Sequence, residues 1–181
     1  MIRFAQIALT LAALALTAAP ALAQEQSSTA PAPLKGALTA PDGSDRGTVT
    51  VAAAPNGVFL RVEAKGLTPG WHGMHFHEKG ACSDDKFASA GGHVHSMTPV
   101  IHGLMNNDAN DAGDLPNLFV AADGTATVEL YSSLVTATKV DARPYLMDED
   151  GSSVIIHDMP DDYASQPIGN AGARAACAAL K

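Results

Sequence analysis

Six of the seven histidines fall in the segment from His72 to His102, and the seventh is His157. His75 and His77 lie two residues apart at the end of a predicted strand. Alternate side chains of a strand point to the same face, so both imidazoles can bind one ion. His72 has the opposite parity. It is therefore predicted to orient or pack against a ligand rather than to bind metal on that face.

Further metal-binding side chains follow in a segment rich in Gly and Asn. They combine imidazoles with carboxylates and are His93, His95, His102, Asp108, Asp111 and Asp114. A mixed set of this kind in a chain with few thiols is typical of copper or zinc.

Short strands must position these residues, because runs rich in Val, Thr and aromatic side chains alternate with Asx-Gly turn signals and no long helical period is present. This pattern predicts an all-β antiparallel sandwich or barrel of eight strands. The strands are expected at 34–40, 46–53, 58–66, 71–77, 117–122, 125–131, 152–157 and 173–178. Two long stretches, Glu78–Pro116 and Asp158–Gly172, interrupt them. Since histidines cluster in the first, both are predicted to be functional loops.

The first 23 residues are typical of an export signal, with a basic start at Arg3, an apolar run over Ile7–Ala19 and the small-x-small end Ala21–Ala23. Cleavage after Ala23 leaves 158 residues, enough for one domain. We expect residues 24–33 to be a disordered leader and residues 34–181 to form the domain. No later run reaches the ~20 apolar residues of a membrane span, so no membrane contact is expected after cleavage.

The net charge of the exported chain limits the classes of molecule that it can bind. Ten basic and 19 acidic residues remain after cleavage, which gives a formal charge of −9. This argues against nucleic acid as a partner. An anionic substrate would need local positive potential, to which Lys79 and Lys86, on either side of Cys82, are candidates to contribute. The sequence leaves open whether the protein is a monomer or a homodimer.

Cys82 and Cys177 are the two cysteines. In an exported chain a disulfide between them is the expected state, with free thiols or metal ligands as the alternative. The bond would close a loop of 95 residues. On the chain-entropy model it would stabilise the fold by roughly 4–5 kcal/mol.

The segment Gly70–His77, with the sequence GWHGMHFH, resembles the G-x-H-G-F-H-x-H copper motif of bacterial copper/zinc superoxide dismutases. Ala90–His93, Gly113–Pro116 and Gly169–Cys177 resemble later motifs of the same family in the same order. The resemblance implies a Greek-key sandwich or flattened barrel, a β-sandwich class that includes this enzyme.

The resemblance also implies roles for individual residues. Copper would be held by His75, His77, His93 and His157, and zinc by His93, His102 and Asp114. Arg174 would attract and orient the anionic substrate, and His93 would carry a proton during turnover. Asp161 would join the outer ring nitrogens of copper and zinc ligands.

Two positions depart from the family pattern. Asp111 stands where the family has a zinc histidine, and His95 stands where it usually has Asn or Asp. Three alternatives remain for the zinc site: Asp111 as the substitute ligand, which we favour, His95 as the ligand, or a weakened site that leaves copper alone.

The expected function is the disproportionation of superoxide to dioxygen and hydrogen peroxide, in the periplasm or outside the cell. The alternatives are a copper-only dismutase and a non-enzymatic copper-binding protein on the same fold. The expected cofactors are copper and zinc, and the expected substrate is superoxide.

Overall fold

The computed structural model describes residues 31–139 and 142–180. The predicted signal, residues 1–23, and most of the predicted leader lie outside the described residues. Residues 31–33 are exposed and form no strand. The regular elements are β1 (Leu34–Thr39), β2 (Asp45–Ala54), β3 (Gly57–Ala64), β4 (Gly70–His72), β5 (Met74–His77), a 3-10 helix (Ala88–Ala90), β6 (Leu118–Val120), β7 (Ala126–Ser132), β8 (Ser152–His157) and β9 (Arg174–Leu180).

Seven strands form one antiparallel sheet in the order β5-β8-β9-β1-β2-β3-β7, and β4 pairs with β6. Because β3 pairs with β7 rather than with its successor, the connections cross in the manner of a Greek key. β4 and β5 are two parts of one predicted strand. With these parts joined, the predicted antiparallel architecture of eight strands is confirmed. Among the described residues no helix is long and apolar enough to cross a membrane.

The break between β4 and β5 occurs at Gly73. Its N–H donates to the carbonyl of Met159 at 2.8 Å instead of continuing a strand ladder. A Cβ at residue 73 would come within 2.8 Å of the Ala171 side chain. Glycine is therefore required for the loop after β8 to approach the sheet this closely.

Strand β3 shows why the sheet curls around one core. Val58, Leu60 and Val62 are fully buried, whereas Phe59 and Arg61 point outward. This alternation is the pattern of a strand with one face in the core and one in solvent. Burying each such aliphatic side chain contributes about 1.5–3 kcal/mol.

Strand β8 is buried on both faces. Val154 and Ile156 face the main core, whereas Ile155 packs with Phe87 under the loop that follows β5. The outer face of β5, β8 and β9 therefore carries a second buried layer beneath the two long loops, which lie where the sequence predicts them.

Cys82 and Cys177 form the disulfide that the sequence predicts, with their Cα atoms 5.8 Å apart. The bond fastens the first long loop to β9. Residues 133–139 and 142–151 add a third connection, which the sequence analysis did not single out.

Candidate metal centre

Strand β5 points its two histidines away from the main core. Met74 and Phe76 lie in that core, so His75 and His77 occupy the outer face, where the loops bury them. His157 is the last residue of β8, the strand that pairs with β5.

The first long loop adds a histidine by extending the sheet beyond β5. Phe76 donates its N–H to the carbonyl of Gly113 at 2.8 Å and accepts from the N–H of Val94 at 2.9 Å. These bonds place His93 opposite His77 in a short bridge. The strand edge therefore sets the position of a residue that belongs to a loop.

Four imidazole nitrogens converge without a protein partner, and we call this group the histidine cluster. One ligand atom from each ring lies within 4.8 Å of those of the other three. An unpaired buried polar atom costs about 1–3 kcal/mol, whereas a metal ion would accept all four lone pairs. The unpaired nitrogens are His75 Nδ1, His77 Nε2, His93 Nε2 and His157 Nε2.

The second nitrogen of each of these rings is held by the protein. Such bonds fix the orientation of an imidazole and decide which nitrogen offers its lone pair. They join His75 Nε2 to Asp161 at 3.0 Å, His77 Nδ1 to the Gly91 carbonyl at 3.1 Å, His93 Nδ1 to Asp111 at 2.6 Å and His157 Nδ1 to the Gly172 carbonyl at 3.2 Å.

Burial lowers the pKa of three rings of the histidine cluster, His75, His77 and His157, whereas Asp111 and Asp114 outweigh burial and raise that of His93. Burial, together with the nearby His93, lowers the pKa of His77 to about 2. Burial and the neighbouring His75 lower the pKa of His157 to about 3. Both rings are therefore neutral at physiological pH, as metal ligation requires.

A second group of donors shares His93 and includes two carboxylates; we call it the carboxylate cluster. Asp111 Oδ2 lies 2.6 Å from His93 Nδ1 and 3.5 Å from His102 Nδ1. Asp114 Oδ1 lies 2.6 Å from His102 Nδ1 and 3.7 Å from His93 Nδ1. Each of these two carboxylate oxygens thus lies within 3.7 Å of both Nδ1 atoms.

His75 also comes within 4.8 Å of His93, His102 and Asp114, counting one ligand atom from each. Its Nε2 is bonded to Asp161, which is not in this group, and its Nδ1 belongs to the histidine cluster. The Nδ1 of His93, by contrast, lies within 3.7 Å of both carboxylates of the group. We therefore count Asp111, and not His75, in the carboxylate cluster.

The carboxylate cluster carries negative charge that favours a cation. Burial raises the pKa of Asp111, but the adjacent imidazoles of His102 and His93 outweigh this and leave it below its usual range. The pKa of Asp114 shifts in the same direction for the same reasons. Burial lowers the pKa of His102, but Asp111 and Asp114 raise it to about 11.

Two predicted candidates lie outside both clusters. His95 Nδ1 lies 2.8 Å from the backbone carbonyl of His93, and its ring is turned toward Glu78 rather than toward the other donors. Asp108 is exposed on the loop.

Asp161 connects the two clusters. Its carboxylate accepts from His75 Nε2 at 3.0 Å and from His102 Nε2 at 3.1 Å. Gly169, at a φ of +60°, passes so close that a Cβ there would overlap the Asp161 carboxylate. One buried anion therefore orients one ring of each cluster.

Two residues that support this geometry were missed by the sequence analysis. Asn117 exchanges two hydrogen bonds with the backbone of Asp161, at 2.8 and 2.9 Å. Gln166 exchanges two with the backbone of His102, at 2.8 and 2.9 Å. Asn117 directly follows the Gly113–Pro116 motif, which was the available signal. No local pattern marks Gln166, because its partner is 64 residues away.

His72 is buried beside the clusters and contacts only backbone oxygens in its described hydrogen bonds. Its Nδ1 lies 2.6 Å from the carbonyl of His157, and its Nε2 lies 2.7 Å from that of Thr68. The ring therefore links β4 to the end of β8.

Arg174 lies directly opposite His157 in the pairing of β8 with β9. Its guanidinium donates to the carbonyls of Phe87 and Gly91. Lys79 and Lys86 are exposed on the neighbouring loop.

The donor chemistry fits two different metal ions. Four neutral imidazoles suit copper, and two imidazoles with two carboxylates suit zinc. The orphaned nitrogens of the histidine cluster and the close, non-hydrogen-bonded approach of His102 Nδ1 to Asp114 Oδ1 both support metal binding.

Comparisons with known proteins agree with this chemistry. The family model for copper/zinc superoxide dismutase matches residues 45–180. A copper–zinc superoxide dismutase of Caulobacter vibrioides is 58% identical over 144 residues, covering 80% of this chain and 83% of that protein. A SOD-like protein from Bacillus subtilis has a TM-score of 0.76 at 37% identity, over 81% of this chain and 97% of that one. The Cu/Zn superoxide dismutase from Brucella abortus has a TM-score of 0.66 at 28% identity, over 83% of this chain and 100% of that one.

Changing Asp161 to Asn should weaken metal binding at both clusters by about 10- to 100-fold, because the amide cannot accept from both rings. Chelator competition with Zn²⁺ and Cu²⁺ measures this. Asp108→Asn, on the exposed loop, is the matched control and should bind both ions like the wild type. Equal affinities of Asp161→Asn and the control would contradict the bridging role.

Proposed function

Since the chain belongs to the copper/zinc superoxide dismutase family, we propose that its histidine cluster is the copper site at which superoxide is disproportionated. The reaction converts two superoxide anions and two protons into one dioxygen and one hydrogen peroxide. Copper and zinc are the cofactors of this family. Copper, when bound, supplies the alternation between Cu(II) and Cu(I) that the reaction needs.

The single observation that carries the copper assignment is the set of four unpaired nitrogens from His75, His77, His93 and His157. The residues around them then have separable tasks. Gly91 and Gly172 hold two of the rings through their carbonyls. The long loops exclude bulk water, since every histidine of the cluster is less than a tenth exposed.

His93 is proposed to carry a proton in addition to binding metal. It is the ring that belongs to both clusters, with Nε2 among the unpaired nitrogens and Nδ1 bonded to Asp111. Its Nε2 can therefore hold a proton beside the substrate while Nδ1 remains bound on the other side.

Arg174 is proposed to attract and orient superoxide. A guanidinium carries a permanent charge and five N–H donors, and two hydrogen bonds to carbonyls leave others available for an anion. Its charge contributes, after burial and His93, to the lowered pKa of His77. That electrostatic influence supports its placement near the copper ligands.

Replacing Arg174 by Ile should lower the second-order rate constant for superoxide by about 10-fold and flatten its dependence on ionic strength, because local steering is lost. Pulse radiolysis over a salt series, with copper analysis of the same samples, provides the measurement. Arg174→Lys is the control that keeps the charge and should keep much of the salt dependence. Loss of copper from Arg174→Ile would instead assign Arg174 a structural role at the metal.

The carboxylate cluster is proposed to hold zinc through His93, His102, Asp111 and Asp114. Asp111 Oδ2 lies within 3.5 Å of both imidazole nitrogens, which favours it over His95. The two carboxylates repel each other, so this site is expected to differ in zinc affinity from one with three histidines.

Asp111→His should therefore tighten Zn²⁺ binding by about 10-fold, since it removes one like charge and supplies another imidazole. Competition with a chromophoric chelator measures the affinity, and Asp108→His places the same side chain outside the cluster as a control. Unchanged zinc affinity in Asp111→His would refute the assignment.

Metal analysis of the wild type should give copper and zinc together. Copper alone with turnover would mean a copper-only dismutase, and copper without turnover a non-enzymatic copper-binding protein.

We also propose export to the periplasm or the exterior, with residues 1–23 as the signal, 24–33 as the leader and 34–181 as the domain. The disulfide is typical of an oxidising compartment and supports export. The acidic net charge supports the absence of nucleic acid and membrane partners.

The intact mass of protein from an osmotic-shock fraction should correspond to a chain that begins at Gln24. A full-length mass there would contradict cleavage.

A homodimer is proposed as the assembly, supported by two exposed aromatic side chains at the centres of β4 and β6. Trp71 and Phe119 are 57% and 55% exposed, and their ring centroids lie 4.9 Å apart. A second copy could cover this apolar pair. Sedimentation should then show a dimer for the wild type and a monomer for Trp71→Lys. A monomeric wild type would contradict the proposal.

A further inference from the structure

The turn that precedes the 3-10 helix contains a strained residue. Phe87 adopts the left-handed conformation, with φ 53° and ψ 27°. A large side chain with a Cβ rarely adopts this conformation, and the surrounding structure must enforce it. The Phe87 ring helps to hold the backbone in this conformation, because it is 2% exposed and packs with Ala90, Ile155 and Cys177.

Asp84 closes the same turn from the other side. Its carboxylate accepts from the N–H groups of Lys86 at 3.1 Å, Ala88 at 2.8 Å and Ser89 at 2.7 Å. Its carbonyl accepts from the N–H of Phe87 at 3.1 Å. The backbone is therefore fixed on both sides of the strained residue.

The strained conformation aims the Phe87 carbonyl at Arg174, which donates to it through Nη1. The carbonyl of Gly91, at the other end of the 3-10 helix, accepts from Arg174 Nη2 at 2.6 Å and from His77 Nδ1 at 3.1 Å. The guanidinium thus spans the helix and shares one acceptor with a copper ligand. Because both carbonyls are fixed, they set the plane of the Arg174 guanidinium. They thereby set the direction of its other N–H groups.

We infer that Phe87 is a positioning residue for Arg174: its buried ring holds a strained backbone whose carbonyl orients the guanidinium toward superoxide. This rests on the proposed role of Arg174. The side chain of Phe87 contacts no reacting atom. Phe87 acts through its main-chain carbonyl. A suitable set of substitutions can distinguish this effect on the carbonyl from the effect of the side chain on packing.

Three substitutions in the full, copper- and zinc-loaded chain test the inference. Phe87→Leu keeps an apolar anchor of similar reach and should stay within about twofold of the wild-type rate constant. Phe87→Ala loses the anchor but keeps the Cβ that disfavours this φ, so the carbonyl is released from Arg174. Phe87→Gly loses the same anchor but adopts this φ without strain, so the carbonyl can remain in place.

The rate constant should therefore fall by about 3- to 10-fold in Phe87→Ala and clearly less in Phe87→Gly, although glycine removes more side chain. The salt dependence should flatten in Phe87→Ala, as is expected for Arg174→Ile. The thermal unfolding temperature and the copper content should be measured in parallel. Neither should be lower in Phe87→Ala than in Phe87→Gly, so neither explains the lower activity of Phe87→Ala. A purely packing role predicts that activity follows the amount of side chain lost, with Gly at least as impaired as Ala, and that outcome would overturn the inference.

A double-mutant cycle isolates the route through Arg174. In the Arg174→Ile background, Phe87→Ala should cause no further loss, because both changes act through one group. Additive losses would show that Phe87 acts elsewhere. If Arg174→Ile alone leaves the rate constant unchanged, the proposed role of Arg174 fails. If Arg174→Ile lowers it and Phe87→Ala does not, only the present inference fails.

Discussion

Both clusters depend on one buried carboxylate. Asp161 accepts from His75, on a strand, and from His102, in a loop. A buried ionised carboxylate is unfavourable unless its oxygens are fully paired. The loop that carries Asp161 can therefore bury it only when both histidines are in place. Asn117 fastens the backbone of Asp161 from a third segment. Folding of this loop and assembly of the two clusters are consequently coupled.

The net charge of the protein imposes a second constraint, because its substrate is an anion. The sequence has a formal net charge of −8, yet the enzyme consumes an anion. Burial lowers the pKa of His75, His77 and His157, so these rings supply no positive charge and an anion must be attracted by nearby cationic side chains. Arg174 is half-buried and donates to two carbonyls. Burial outweighs the charge of Asp84 in its effect on the Arg174 pKa, and among the described residues no carboxylate forms an ion pair with the guanidinium. Its charge is thus oriented without being neutralised, which lets an acidic protein present a local attraction.

Much of the fold was predictable because strand period and turn chemistry are local. Alternating burial in β3 and the Asx-Gly turns placed the strands within a few residues of their positions. The break at Gly73 was not predictable in this way. It exists because Met159, 86 residues later, offers a hydrogen bond at that point. Phe87 in a left-handed turn was equally hidden, since that conformation is disfavoured for its residue type and is imposed by packing and by Asp84.

The sequence by itself determined which donors this protein can bring to a metal, because residue type sets ligand chemistry and the strand period places His75 and His77 on one face. It also identified Asp111 as a departure from the family pattern. Only the tertiary structure decided which nitrogen of each ring is left unpaired, and that Asp111 rather than His95 lies beside the ring nitrogens of His93 and His102. Those choices depend on hydrogen bonds between segments that are distant in sequence, and such bonds exist only once the loops have packed against the sheet.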